Sequence, residues 1–241
     1  MIPKIIHYCW FGEKPLPSKS AKYIEGWRKK CPEFEIKEWN NRNFDIRCCD
    51  YSREAAEAGK WAFVSDVARL DILQEHGGFY LDTDIELVDS LDSLLGYDAV
   101  VGFESESDIH TGIIGAAMGN EIIKEWRKVY DNVHFRLPDG GFDLTTNVGR
   151  ITKLCIDKGL KPDGSFQEID SLTVLPKEYF CPKLPFKLKT DITEKTIAIH
   201  HFNGSWKTPV EKLRELPYFI IGLENCRKIV MLKSRIFDRI K

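Results

Sequence analysis

Two aspartates one residue apart, Asp82 and Asp84, follow the apolar run Phe79-Tyr80-Leu81 behind Gly77-Gly78. If a strand persists through them, alternation sends both carboxylates to one side. Two carboxylates on one face repel each other unless a cation sits between them or one takes a proton. An acidic surface turn is the plain alternative for a bare D-x-D. Upstream, Asp66 and Arg69 lie three apart in a helical pattern, so they share a helix face and could simply pair as an ion bridge. Downstream, a strand-like run delivers His200-His201-Phe202-Asn203-Gly204-Ser205-Trp206-Lys207, where a glycine lets the backbone bend ahead of a lysine.

The elements that would position these residues follow from periodicity. Residues 2–10 are β-branched and aromatic and predict a buried first strand. Ser18 can cap a helix running to about Lys30, with Tyr23, Ile24 and Trp27 on its apolar face. A second strand spans 34–39. A strand, a helix and a strand in that order suggest an α/β nucleotide-binding sheet, in which ligands sit at the carboxyl ends of strands. That places Tyr8, Trp10 and Gly12 near a ligand mouth, where an aromatic could stack on a base; Trp10 as a core residue stays open. One long helix is expected over 52–76, stopped by Gly77-Gly78. Beyond it come a polar turn at 89–95, strands at 99–103, 111–116, 172–176 and 196–199, and helices at 121–133 and 147–158. The acidic loop 104–108 faces either solvent or an acceptor.

The 241 residues suit one large domain, expected over 1–208, with a helical extension at 209–241. A hydrophobic content of 43% with 30% charged residues describes an ordinary globular chain, and a net charge of −2 argues against broad binding to nucleic acid. Seven scattered cysteines without a C-x-x-C fit reduced thiols in a cytosol, and no apolar run or signal-peptide pattern indicates a membrane span. The expected location is therefore cytoplasmic. The last stretch carries Arg227, Lys228, Lys233, Arg235, Arg239 and Lys241 against Asp238. It could lie on the inner face of an anionic membrane; a packed helix with a solvated basic face is the alternative.

Ser65-Asp66-x-x-Arg69 followed by Gly77-Gly78-x-Tyr80-x-Asp82-x-Asp84 resembles the D-x-D sugar-binding family of glycosyltransferases. That family groups small bacterial capsule and lipopolysaccharide sugar transferases with eukaryotic mannosyltransferases, and is related to glucosylating toxins. The opening Ile2-Pro3-Lys4-Ile5-Ile6-His7, with Trp10-Phe11-Gly12 and Pro15-Leu16-Pro17, matches the start of the same family. Thr145-Thr146-Asn147-Val148-Gly149 stands where the family carries a Thr-Gly-Pro-like element. His201-Phe202-x-Gly204-x-x-Lys207 is similar to the C-terminal metal-binding loop of glycogenin-like retaining glycosyltransferases.

The resemblance implies a GT-A fold: α/β, with a mixed, mostly parallel sheet flanked by helices and a C-terminal helical tail. It also implies a hexosyltransferase that retains anomeric configuration. In it Asp66 and Arg69 would bind donor-sugar hydroxyls, and Asp82, Asp84 and His201 would hold a cation. His200 is the second choice, since strand alternation sends it to the opposite face. Asp66, Arg69, Asp82 and Asp84 form the expected catalytic set. The expected donor-binding set is Tyr8, Trp10, Gly12, Asp66, Arg69, Asp82, Ser205, Trp206 and Lys207. Lys207 would meet the diphosphate, while Ser205 and Trp206 would close over it and exclude water. Oxygen ligands select magnesium or manganese, and an imidazole favours manganese. UDP-hexose is the expected donor ahead of GDP-mannose, and a glycan, lipid-linked if the tail meets a membrane, the expected acceptor. Capsular or other cell-surface polysaccharide synthesis is the expected setting. No nucleophile stands out, with Glu104, Asp143 and Asn147 as positional candidates. Two other classes fit parts of the pattern. A D-x-D phosphatase would want Thr or Val where Glu86 stands, and a non-catalytic sugar-binding module would not need the histidine and lysine as well.

Overall fold

A computed structural model describes residues 1–182 and 190–204; the extension expected at 209–241, and with it Ser205, Trp206 and Lys207, lies outside the described residues. In chain order the elements are β1 (Ile5–Cys9), α1 (Ser18–Lys30), β2 (Glu35–Trp39), α2 (Asp50–Glu57), α3 (Trp61–His76), β3 (Gly78–Leu81) and β4 (Ile85–Leu87). There follow β5 (Ala99–Gly102), β6 (Ile113–Ala116), α4 (Glu121–Lys128), α5 (Asn147–Asp157), β7 (Gln167–Ile169), β8 (Leu172–Leu175) and β9 (Ala198–His200).

Seven strands form one sheet in the order β2-β1-β3-β6-β5-β8-β7, and β4 pairs with β9 in a small second sheet. Strands β2, β1, β3, β5 and β8 run one way, with β6 and β7 reversed. The sheet is thus mixed and mostly parallel, as expected. Alternation divides the core between its faces. On β3, Phe79 and Leu81 join a cluster with Ile24 and Trp27 of α1 and Ile85 of β4. Tyr80 turns the other way, among Tyr51 of α2, Val64 and Val67 of α3, and Trp126 of α4. The Trp27 indole donates to the Ile85 carbonyl at 2.9 Å and ties α1 to the small sheet.

Three expectations are corrected. The single helix over 52–76 is two helices, because Gly59 adopts a left-handed φ of +67° between α2 and α3. Ser18 is the first residue of α1 instead of its cap; Pro17 holds that position and makes no side-chain cap bond. The third correction concerns Asp82 and Asp84, which belong to a turn and not to a strand.

Candidate metal and donor site

Two glycines set the entry to the site. Gly77 ends α3 at φ +63°, and Gly78 opens β3 at φ +95°. A Cβ on Gly77 would fall 2.6 Å from the Met118 nitrogen, and one on Gly78 would fall 2.6 Å from the Ile5 carbonyl oxygen. Only glycine allows this reversal and lets β3 lie against β1. His7 holds the junction. Its Nε2–H donates to the Gly77 carbonyl at 2.9 Å, and its Nδ1 accepts from the Trp39 indole at 3.1 Å. Both bonds suit a neutral ring, and burial lowers the His7 pKa to about 4.

Strand β3 ends at Leu81. The Asp82 N–H still donates to Gly112, and Ile85 N–H then closes a turn onto the Asp82 carbonyl at 3.0 Å. The two carboxylates therefore converge through a turn and not through strand alternation. One oxygen of Asp82, one of Asp84 and one ring nitrogen of His200 lie within 4.8 Å of one another.

His200, the second choice from the sequence, and not His201 is the histidine that approaches the aspartates. Antiparallel pairing of β9 with β4 sets His200 opposite Ile85 and brings its Nε2 to 3.3 Å from Asp84. The same pairing turns His201 to the other side, where its Nε2 meets Glu86 at 2.7 Å and its ring stacks on Tyr23. After His201, Phe202 takes a left-handed φ of +51° and packs its ring 3.9 Å from that of His200. The chain folds back so that Asn203 N–H donates to Asp84 at 2.8 Å. Burial would raise the Asp84 pKa, but the bonds from His200 and Asn203 outweigh it and hold the carboxyl at about 2. Burial would likewise lower the His200 pKa, yet Asp84 and then Asp82 raise it. Burial pushes Asp82 up, and the Asp84 charge adds to this against Arg69.

Asp66 and Arg69 do pair, with Nη2 to carboxylate 2.8 Å, but the bridge has a third member: the same Nη2 lies 3.5 Å from Asp82. The other guanidinium donors go to the Thr111 and Ser65 carbonyls at 2.6 and 3.1 Å. The group lies over the Tyr80 ring, whose hydroxyl donates to Asp82 at 2.9 Å. Arg69 is only 4% exposed. Its guanidinium, expected to bind donor hydroxyls, is engaged by the two acids and two backbone carbonyls. Asp66 keeps a 15% exposed side chain, and burial together with the Asp82 charge raises its pKa to about 6 against Arg69.

The donor-binding residues expected from β1 divide. Tyr8 belongs to the core: its ring packs edge-on against Trp27 and its hydroxyl donates to Glu38 at 2.7 Å. Trp10 is half-buried and donates to the Lys14 carbonyl. Gly12, at φ +90°, lies where a Cβ would strike the Trp61 indole at 2.7 Å, so its glycine serves close packing. Among the nucleophile candidates, Asp143 is paired with Arg150, and Asn147 is buried and accepts from Tyr130. Glu104 is the acid that feels the site: burial raises its pKa, and the His200 charge lowers it.

Sequence reasoning missed Gly112 and His110. A Cβ at Gly112 would sit 2.8 Å from His110 Nε2 and 2.9 Å from an Asp82 oxygen. His110 is fully buried and meets His200 Nδ1 at 2.9 Å through its Nε2. Neither residue carries a local motif; the crowded Ile109-His110-Thr111-Gly112 ahead of a strand is the one available signal.

Residues 17–101 match the family described as glycosyltransferase sugar-binding region containing DXD motif. Inositol phosphoceramide mannosyltransferase 3 of Schizosaccharomyces pombe is 30% identical over 146 residues, covering 56% of this chain and 40% of that protein. An uncharacterized glycosyltransferase, L373, of Acanthamoeba polyphaga mimivirus is 29% identical over 170 residues, covering 65% of this chain and 64% of that one. The chain thus spans 40% to 64% of the length of these relatives. Among solved structures, the PaToxG glycosyltransferase aligns with 53% of this chain and 58% of its own, at a TM-score of 0.47 and 21% identity. The likeness to the sugar-binding region of the D-x-D glycosyltransferases runs over residues 17–101, from the start of α1 into β5.

Proposed function

We propose that this chain is a metal-dependent hexosyltransferase of GT-A type that moves a sugar from a nucleotide diphosphate to a glycan acceptor. The observation that carries the reading is the meeting of Asp82, Asp84 and His200 within 4.8 Å, beside an Asp66 held by Arg69. The donor set fits a divalent cation: two carboxylates and an imidazole suit manganese, with magnesium as the harder alternative. Asp84 and Asp82 both raise the His200 pKa against burial, so positive charge is favoured at this place. When bound, the cation supplies charge stabilisation for the departing diphosphate.

The chain's own side chains do the rest. Asp84 and His200 are the firmest ligands, each fixed from behind: Asp84 by Asn203, His200 by His110. Arg69 fixes Asp82 and Asp66 without reaching the sugar, and this leaves Asp66 as the hydroxyl acceptor. The half-buried Trp10 offers a face to the base. UDP-hexose is the first donor to try, with GDP-mannose its direct competitor given that one relative is named a mannosyltransferase. A cell-surface glycan, lipid-linked and reached from the cytoplasmic face through the basic residues of 226–241, completes the reading.

A thermal-shift screen of UDP- and GDP-sugars with manganese tests donor binding. A ligand held at about 100-fold above its Kd adds about 2.7 kcal/mol, or roughly 5–10 °C in a chain of this size. No shift with any nucleotide sugar at millimolar concentration would count against the reading.

A further inference from the structure

Beneath the aspartates the same histidine takes part in a second cluster. Ligand atoms of His110, Cys181 and His200 lie within 4.8 Å of one another. His110 and Cys181 are both fully buried. Cys181 is a free thiol, and His110 Nδ1 has no hydrogen-bond partner among the described residues. Three separate parts of the fold bring the groups together. His110 leads into β6, and its N–H donates to Gly102 at the end of β5. Cys181 follows a 3-10 turn at Lys177–Tyr179 and donates back to Lys177 at 2.7 Å. β9 then runs past it, with His200 N–H donating to the Phe180 carbonyl at 3.2 Å.

We propose that His110, Cys181 and His200 form a second site, for a borderline or soft cation of the zinc type, that competes with the hard-cation site for His200. Two imidazoles and a thiolate are a donor set that zinc and cobalt take readily and that magnesium and manganese do not. Binding releases the thiol proton of Cys181 to solvent. The competition follows from imidazole chemistry. A neutral ring has one lone pair, on one nitrogen at a time. With the lone pair on Nε2, which faces Asp84, the ring serves the aspartate site and its Nδ1–H points at His110. With the lone pair on Nδ1, it serves the thiol site and Nε2–H donates to Asp84. One histidine thus serves either cation but not both. The competition rests on the transferase reading above; the thiol site itself does not.

The test is a cobalt titration of the purified chain under reducing conditions, followed by absorption in the near ultraviolet. A thiolate-to-cobalt charge-transfer band is expected, because the aspartate site has no sulfur. Cys181→Ala should lose the band while keeping its melting transition, and His110→Asn should weaken cobalt binding by at least tenfold. Cys48 and Cys49 provide the control: Cys49→Ala should keep the band. Absence of a band in the wild-type chain, or its survival in Cys181→Ala, overturns the site. In a transfer assay, zinc should inhibit the manganese-loaded wild-type enzyme, excess manganese should relieve the inhibition, and Cys181→Ala should be at least tenfold less sensitive. Equal zinc sensitivity of the two proteins overturns the competition. If no donor is turned over at all, the transferase reading fails and the cobalt spectrum still decides the thiol site. Should Cys181→Ala fail to fold, Cys181→Ser replaces it, since a hydroxyl gives no such band.

Discussion

Replacing Arg69 by methionine keeps an unbranched apolar stem and removes the guanidinium and its charge, which makes it a direct probe of the clamp on Asp66 and Asp82. Arg69 is 4% exposed, lies 2.8 Å from Asp66 and 3.5 Å from Asp82, and gives its other donors to two carbonyls. Breaking a buried pair by removing one partner costs about 3–5 kcal/mol, because the remaining charge stays buried without compensation. At about 2–4 °C per kcal/mol for a chain of this size, the melting temperature should fall by roughly 6–20 °C. Asp66→Asn should behave differently. Burial raises the Asp66 pKa from 3.8 to about 6, so keeping it ionised above that pH costs the native state up to about 3 kcal/mol. Neutralising it should leave stability at pH 8 within about 1 kcal/mol of wild type, or better. The sign is checkable. Asp66 has a raised folded pKa, so its contribution is full below pH 3.8 and lost as pH rises through about 6. In Arg69→Met both acids should hold protons to higher pH, so its deficit should shrink toward pH 5. Urea denaturation of the three proteins at pH 8 and pH 5 reads all of this. An Arg69→Met loss under about 1 kcal/mol, or a larger loss for Asp66→Asn, would refute the clamp.

Two further outcomes are expected. His200→Ala should abolish saturable manganese binding measured by electron paramagnetic resonance, whereas His201→Ala should bind manganese as wild type does and lose only its contacts with Glu86 and Tyr23; the reverse ranking would restore His201 as the ligand. His7 should make the fold acid-sensitive. Its folded pKa of about 4 lies below the unfolded 6.5, so its stabilisation is present above pH 6.5 and declines as pH falls toward 4. At pH 4.5 the loss comes to about 2.5 kcal/mol, and it should vanish in His7→Gln. Asp66 acts in the opposite sense over the same window, so the readout is the difference between the two urea curves and not the wild-type curve alone.

The site was legible where it is local. Asp66 and Arg69 share a helix face whatever the rest of the chain does, and Gly77-Gly78 announces the reversal into β3 through backbone requirements that only glycine meets. Asp82 and Asp84 do approach each other, but a turn and not strand alternation brings them together. The ranking of His201 over His200 had no local basis, because a one-residue slip in the register of β9 flips every side chain, and that register is set by pairing with β4 over a hundred residues away. Gly112, His110 and Cys181 were invisible for the same kind of reason: each matters only through neighbours that the sheet supplies. The split between α2 and α3 was readable from Gly59, but the apolar residues on both sides keep a helical period and mask it.

The most direct measurement of the central claim is hexose transfer, or donor hydrolysis, by the wild-type chain and Asp84→Ala, with manganese and after its removal by EDTA. Chelation should abolish turnover, manganese should restore it, and Asp84→Ala should be inactive with an intact circular dichroism spectrum. Turnover that survives EDTA, or an Asp84→Ala protein working at the wild-type rate, would contradict a transferase built on Asp82, Asp84 and His200.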